Sequence, residues 1–204
     1  MNYESIRKNP DNYPYFVLDV PVFPHEQALK EAKNLPINLY YAHRINPNRR
    51  QDIYQFSIFG KQCNGKASFS DTDNYFTDEA RTYLPTIVDY YENVFPQNYT
   101  AIRLASLKAG GSILPHIDNK QKGFFTPGRS SFNTAINMPK GVVWNIGKTT
   151  IPFRAGESNA IDFSIEHSVI NNSTEDRYHL LIGVFNESTE FKRIVEDSYR
   201  KYIL

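Results

Sequence analysis

A chain of 204 residues can bury a sizeable core without disulfides or a structural metal, and 23 Lys and Arg against 22 Asp and Glu leave a net charge of only +1. That balance argues against a nucleic-acid binder held by bulk phosphate electrostatics, and 40% hydrophobic with 22% charged residues argues against a disordered chain. Fourteen Tyr and fourteen Phe beside two Met point to β-rich structure, because aromatic rings suit a pleated, half-buried surface.

Residues 14–23 read as an extended apolar segment broken by prolines. In His25–Leu35, Ala28, Leu29, Ala32 and Leu35 recur at helical spacing. Ile53–Phe59 alternates like a strand, and residues 60–77 are polar and turn-rich. Asp78–Phe95 carries a helical apolar face, with Pro85 predicting a kink or a later start. Beyond residue 98 the spacing predicts eight short strands: Ala101–Leu107, Ser112–His116, Phe132–Met138, Val142–Ile146, Ile151–Phe153, Ser158–Phe163, Glu166–Asn171 and Arg177–Phe185. Gly110-Gly111, Pro127-Gly128 and similar pairs punctuate them. Glu190–Tyr202 closes the chain with a second helical pattern. The expectation is one domain over residues 1–204. Residues 1–98 supply helices and strands that pack on the core, 99–186 form a mainly β jelly roll, and 187–204 form a flanking helix.

Cys63 is the single cysteine, so no internal disulfide can form and a reducing compartment is expected. Met1–Lys8 has no apolar signal region, and no apolar run reaches the roughly eighteen residues of a membrane span. A cytoplasmic protein without membrane or nucleic-acid partners is the resulting expectation.

Chemistry concentrates in the β half. Pro115-His116-Ile117-Asp118 ends in His-x-Asp, and residues two apart on a strand share a face, so His116 and Asp118 can converge on one ion. His167 follows downstream, and Arg177 lies ten residues after it. Two His and one carboxylate make the facial triad of non-haem Fe(II) oxygenases, which leaves three coordination positions open. A buried guanidinium after the second His suits a dicarboxylate cosubstrate, because it can grip a carboxylate with two parallel hydrogen bonds.

These residues resemble the Fe(II)/2-oxoglutarate oxygenases of the aspartyl/asparaginyl β-hydroxylase-like branch. The resemblance spans roughly residues 99–186 and rests on Leu107-Lys108-x-Gly110, Pro115-His116-x-Asp118, Met138-Pro139-Lys140, Gly156-Glu157, Asp162-Phe163, His167-x-Val169-x-Asn171 and Arg177. It implies a cupin-like double-stranded β-helix, iron held by His116, Asp118 and His167, and the distal carboxylate of 2-oxoglutarate held by Arg177. It implies hydroxylation of an unactivated C–H bond of an amino acid, or of an aspartyl, asparaginyl or prolyl residue, using O2 and yielding succinate and CO2. Ascorbate is the expected reductant in vitro. Some animal members lack the middle carboxylate; with Asp118 present, this chain looks more like bacterial members, some of which hydroxylate free amino acids such as proline. Two positions depart from the animal pattern: Asn133 stands where those enzymes have a cosubstrate-binding His, and Ala105 where they have a Ser.

Asn133 is carried as a cosubstrate candidate, and His179 joins it because it shares a strand face with Arg177. Arg103 and Arg129 are candidates for a substrate carboxylate. Trp144 reads most simply as core. The competing reading from another class is a catalytically inert, cupin-like module that binds a metal or carboxylate. A zinc hydrolase also fits three ligands, yet has no evident use for Arg177.

Overall fold

Two strands with opposite duties on their two faces organise the molecule. In the computed structural model, which describes residues 2–42, 50–60, 75–118, 122–125, 129–185 and 187–203, these are β4 (Tyr99–His116) and β10 (Arg177–Phe185). Along β10 the residues Tyr178, Leu180, Ile182 and Val184 join a large apolar cluster with the helices, while Arg177, His179, Leu181 and Gly183 line an internal cavity. Along β4, Ile102 and Leu104 face the helices, and Ala105 and Leu107 join a second, inner cluster. Period-two alternation thus separates a scaffold face from a site face.

The remaining elements are α1 (Tyr3–Lys8), β1 (Tyr15–Leu18), α2 (His25–Asn34), β2 (Tyr41–Ala42), β3 (Arg50–Phe59), α3 (Asp78–Tyr83), α4 (Pro85–Asp89), β5 (Arg129–Ala135), β6 (Val142–Ile146), β7 (Thr149–Thr150), β8 (Ser158–Ile161), β9 (His167–Asn171) and α5 (Thr189–Ile203). The strand order is β1-β8-β5-β10-β4-β9-β6-β7, with β3 also pairing with β4 and β2 with β3. Every pair is antiparallel. The architecture is mainly β with flanking helices, as expected, and β1, β2 and β3 bring the N-terminal segment into the same sheet.

Strand β4 corrects one expectation. Ala101–Leu107 and Ser112–His116 are not separate strands but the two halves of one strand that changes partner. Tyr99–Leu107 pairs with β10, whereas Ser112–His116 pairs with β9. Gly110, between the halves, has φ +78°. A Cβ there would meet nothing within 4 Å, so backbone conformation rather than crowding favours glycine.

Other differences have local causes. Pro85 divides the predicted helix: Leu84 leaves the helical region (φ −130°, ψ 45°) and α4 restarts on the proline. Ile151 and Phe153 are buried, but Ile151–Phe153 is not a strand; Ile151 N–H donates to the Trp144 carbonyl at 2.8 Å, and Pro152 has no N–H to continue a ladder. The six-residue α1 was not anticipated; Asn2 caps it by accepting from Ser5 N. Cys63 and most of the turn-rich segment lie outside the described residues. Among the described residues, no helix is long and apolar enough to cross a membrane.

Leu180 is fully buried in the helix-facing cluster. Leu180→Ala should lower unfolding free energy by about 2–5 kcal/mol in chemical denaturation, the usual range for a core leucine. A change below about 1 kcal/mol would show that this cluster does not hold the sheet against the helices.

Candidate active site

His116 ends β4 and His167 begins β9, and the two are direct partners across that pair. Cross-strand pairing therefore brings the imidazoles together, with ring centroids 4.3 Å apart. Asp118 arrives differently from the strand spacing that suggested it. It lies two residues past the end of β4, and its N–H donates to the Phe163 carbonyl at 3.2 Å. The Asp162-Phe163 pair supports this tether. Asp162 is buried and accepts from Asn9 Nδ2 at 2.7 Å and from Ser164 N at 2.9 Å. The Phe163 ring packs edge-on against His167.

The result is a convergent donor set. His116 Nε2 lies 3.2 Å from Asp118 Oδ1, and His167 Nε2 lies 3.5 Å from Asp118 Oδ2. His116 Nδ1 sits 2.7 Å from the Leu114 carbonyl, and His167 Nδ1 3.0 Å from the Ile165 carbonyl. A carbonyl only accepts, so each Nδ1 carries a proton, and when the ring is neutral its Nε2 turns a lone pair toward Asp118. Three acceptors then face one another, an arrangement a shared cation satisfies. The spacings also fit: two donors about 2.1 Å from one ion at right angles are about 3 Å apart. These three residues can hold a metal ion.

Beside them lies a cavity of about 320 Å³, a volume suited to small molecules. Arg177 lines it and is completely buried. Its Nη1 donates to His179 Nδ1 at 2.9 Å, which leaves His179 the proton on Nε2. Arg177 Nε and Nη2 have no partner among the described residues. Burial pushes this guanidinium down to about 9, so it stays charged at neutral pH. A buried cation with two unmet donors on one edge is a ready site for a carboxylate.

Strand register layers the cavity wall. His179 is level with Ala105 and Ala135, whereas Leu181, one step along the same face, is level with Arg103 and Asn133. Arg103 and the buried Asn133 therefore line the cavity four residues from the Arg177 level, about 13 Å along the strands. Asn133 Oδ1 has no hydrogen-bond partner among the described residues. Arg129 opens β5, but its side chain lies outside the described residues. Sequence reasoning missed Gln55, a buried cavity residue whose Oε1 is also unpartnered among the described residues. It underrated Trp144, whose ring lies beneath Arg177. Asn171 proves structural: its Nδ2 reaches the carbonyls of Leu107, Lys108 and Glu175 and so pins the β9–β10 turn to β4.

The family model described as aspartyl/asparaginyl β-hydroxylase matches residues 40–187, more than half of the chain. The chain belongs to this family. It is accordingly an Fe(II)- and 2-oxoglutarate-dependent oxygenase, and the His-Asp-His set agrees with that chemistry. No curated protein matches the sequence. Among solved structures the chain is similar to an oxidoreductase of the 2OG-Fe(II) oxygenase family from Burkholderia pseudomallei, at 13% identity over 92% of this chain and 93% of that one, with a TM-score of 0.51. It is similar to a Trichoplax adhaerens prolyl hydroxylase in complex with a hypoxia inducible factor peptide fragment, at 14% identity over 90% and 89% of the chains and a TM-score of 0.51. It is also similar to the non-haem α-ketoglutarate-dependent epimerase SnoN from nogalamycin biosynthesis, at 13% identity over 90% and 80% and a TM-score of 0.51. These likenesses establish the shared double-stranded β-helix fold.

One equivalent of Mn(II) or Zn(II) should bind per chain in calorimetric titration. His116→Ala and His167→Ala should each weaken it by more than the roughly 10–100-fold that loss of an outer-sphere partner costs. Unchanged binding in both variants would place the metal elsewhere.

Proposed function

We propose that the protein hydroxylates an unactivated C–H bond of an amino acid, free or as an aspartyl, asparaginyl or prolyl residue, with O2 consumed and 2-oxoglutarate converted to succinate and CO2. The observation that carries this reading is the meeting, in one small cavity, of three convergent metal-competent acceptors and a fully buried arginine with an unmet bidentate edge. In this reading His116, Asp118 and His167 hold Fe(II), and Arg177 holds the distal carboxylate of 2-oxoglutarate. Bound together, iron and 2-oxoglutarate supply the activation of O2 for C–H oxidation.

The residues of the chain supply binding, orientation and exclusion of water. The Leu114 and Ile165 carbonyls fix the two histidine tautomers. Arg177 selects a ligand that carries a second carboxylate, because that group relieves an otherwise unmatched buried charge. His179, with its remaining proton on Nε2, adds a donor on the same wall. Asn133 meets the cosubstrate at the end remote from Arg177. Arg103 holds a carboxylate of the substrate. Ile53, Ile113, Val169 and Phe163 keep the cavity wall apolar, which limits access of water to the reacting groups.

The test is turnover with Fe(II), ascorbate, O2 and 2-oxoglutarate against free amino acids and peptides containing Asp, Asn or Pro. Succinate should form in step with a product 16 mass units heavier, roughly one oxygen atom, as the rebalanced C–H bond requires. The Zn(II)-loaded protein should be inactive, because zinc has no redox chemistry. Arg177→Ala should weaken 2-oxoglutarate binding at least about tenfold, and Arg177→Lys less, since lysine keeps the charge but loses the fork. Activity sustained by zinc, or unchanged 2-oxoglutarate affinity in Arg177→Ala, would overturn the reading. An intact metal site with no succinate formed would leave the inert binding module in its place.

A further inference from the structure

We propose that Trp144 is a positioning residue that holds the Arg177 guanidinium with its bidentate edge open to the cavity. The proposal rests on the reading that Arg177 takes the distal carboxylate of the cosubstrate.

Trp144 lies on β6 and is buried, while Arg177 lies on β10, so their contact spans the cavity between two strands that do not pair. The arginine Cζ sits 4.7 Å from the indole ring centroid, within cation–π range. The indole is itself braced: it stacks on Phe153 at 4.8 Å and 18°, and meets His179 edge-on at 5.9 Å. A guanidinium offers one planar face pair and five N–H donors around its rim. Here the Cζ lies over the indole ring, and His179 Nδ1 accepts from Nη1 at 2.9 Å. Among the described residues the donors without a partner are Nε and Nη2, adjacent on a single edge. That edge accepts a carboxylate with two parallel hydrogen bonds.

The division of surfaces has a thermodynamic consequence. The indole offers a π cloud and takes no hydrogen bond from Nε or Nη2, so a carboxylate can bind those donors without displacing the ring. A long arginine side chain has many rotamers, and ligand that must order it binds more weakly. Trp144 imposes that order beforehand. Replacing it by a smaller side chain opens volume into which the guanidinium can turn, away from the cosubstrate. The effect should therefore fall on ligands with a distal carboxylate and spare those without one.

Calorimetry on the Mn(II)-loaded protein tests this with two ligands: 2-oxoglutarate, and 2-oxopentanoate, which has the same carbon count but lacks the distal carboxylate. Trp144→Leu should weaken 2-oxoglutarate roughly fivefold to thirtyfold, the range of a desolvated cation–π contact. Trp144→Phe, which keeps a ring, should lose less, and 2-oxopentanoate should bind all three proteins alike. Wild-type 2-oxoglutarate affinity in Trp144→Leu would overturn the proposal. So would an equal loss for both ligands, which would mark Trp144 as a mere wall of the cavity. If circular dichroism shows Trp144→Leu unfolded, Trp144→Phe decides: a loss confined to 2-oxoglutarate supports the proposal, and no loss overturns it. Arg177→Ala, run in parallel, separates the two levels. If that variant keeps its 2-oxoglutarate affinity, the parent assignment fails; if it loses affinity while both Trp144 variants do not, only the present proposal fails.

Discussion

Arg177 carries a positive charge at a position with no exposure to solvent, and much of the site can be understood as the arrangement that makes this tolerable. Isolated buried charges are strongly disfavoured, so a folded chain keeps one only where its surroundings offer compensation. His179 provides a hydrogen bond and Trp144 a ring face. Neither supplies an opposite charge. Among the described residues the compensation is incomplete, and the deficit is directional because it lies along one edge of the guanidinium. In the proposed function, that deficit is what selects a dicarboxylate.

The second pole of the cavity depends on backbone rather than charge. A single strand, β4, runs from the wall shared with Arg177 to the metal-competent pair at its end. Leu107 pairs with Arg177, and His116, nine positions on, pairs with His167. Arg177 and the histidines are thus fixed relative to each other by one continuous element. Asn171 reinforces this by tying the β9–β10 turn to the carbonyls of Leu107 and Lys108. A motif residue that resembles a functional signature here acts by holding β9 and β10 against β4.

Much of this was legible in the sequence because it depends on local order. The helical spacing of α2 and α5 and the strand pattern of β10 recur in the structure, and His116, Asp118 and His167 come together there. The physical route to the site was less legible. Same-face spacing suggested why Asp118 joins His116, yet Asp118 lies beyond the strand and is placed by the Phe163 carbonyl. Gly110-Gly111 looked like a turn, because a glycine pair gives no hint that hydrogen bonding continues through it to a new partner. Trp144 looked like core because its burial is real. What distinguishes it is a contact with Arg177, thirty-three residues away on a strand that is not its neighbour, and no periodicity encodes that.

The composition of the chain gives the Trp144 contact one more consequence. This is the only tryptophan among 204 residues, so indole emission comes from a single place, the ring beneath Arg177. Fourteen tyrosines absorb nearby in the ultraviolet, but excitation at the red edge of the band selects the indole. The electric field of the guanidinium acts directly on that ring, and a carboxylate binding there, as proposed, would change it. The protein therefore carries a built-in optical reporter at its charged pole, one that needs no label and requires no turnover.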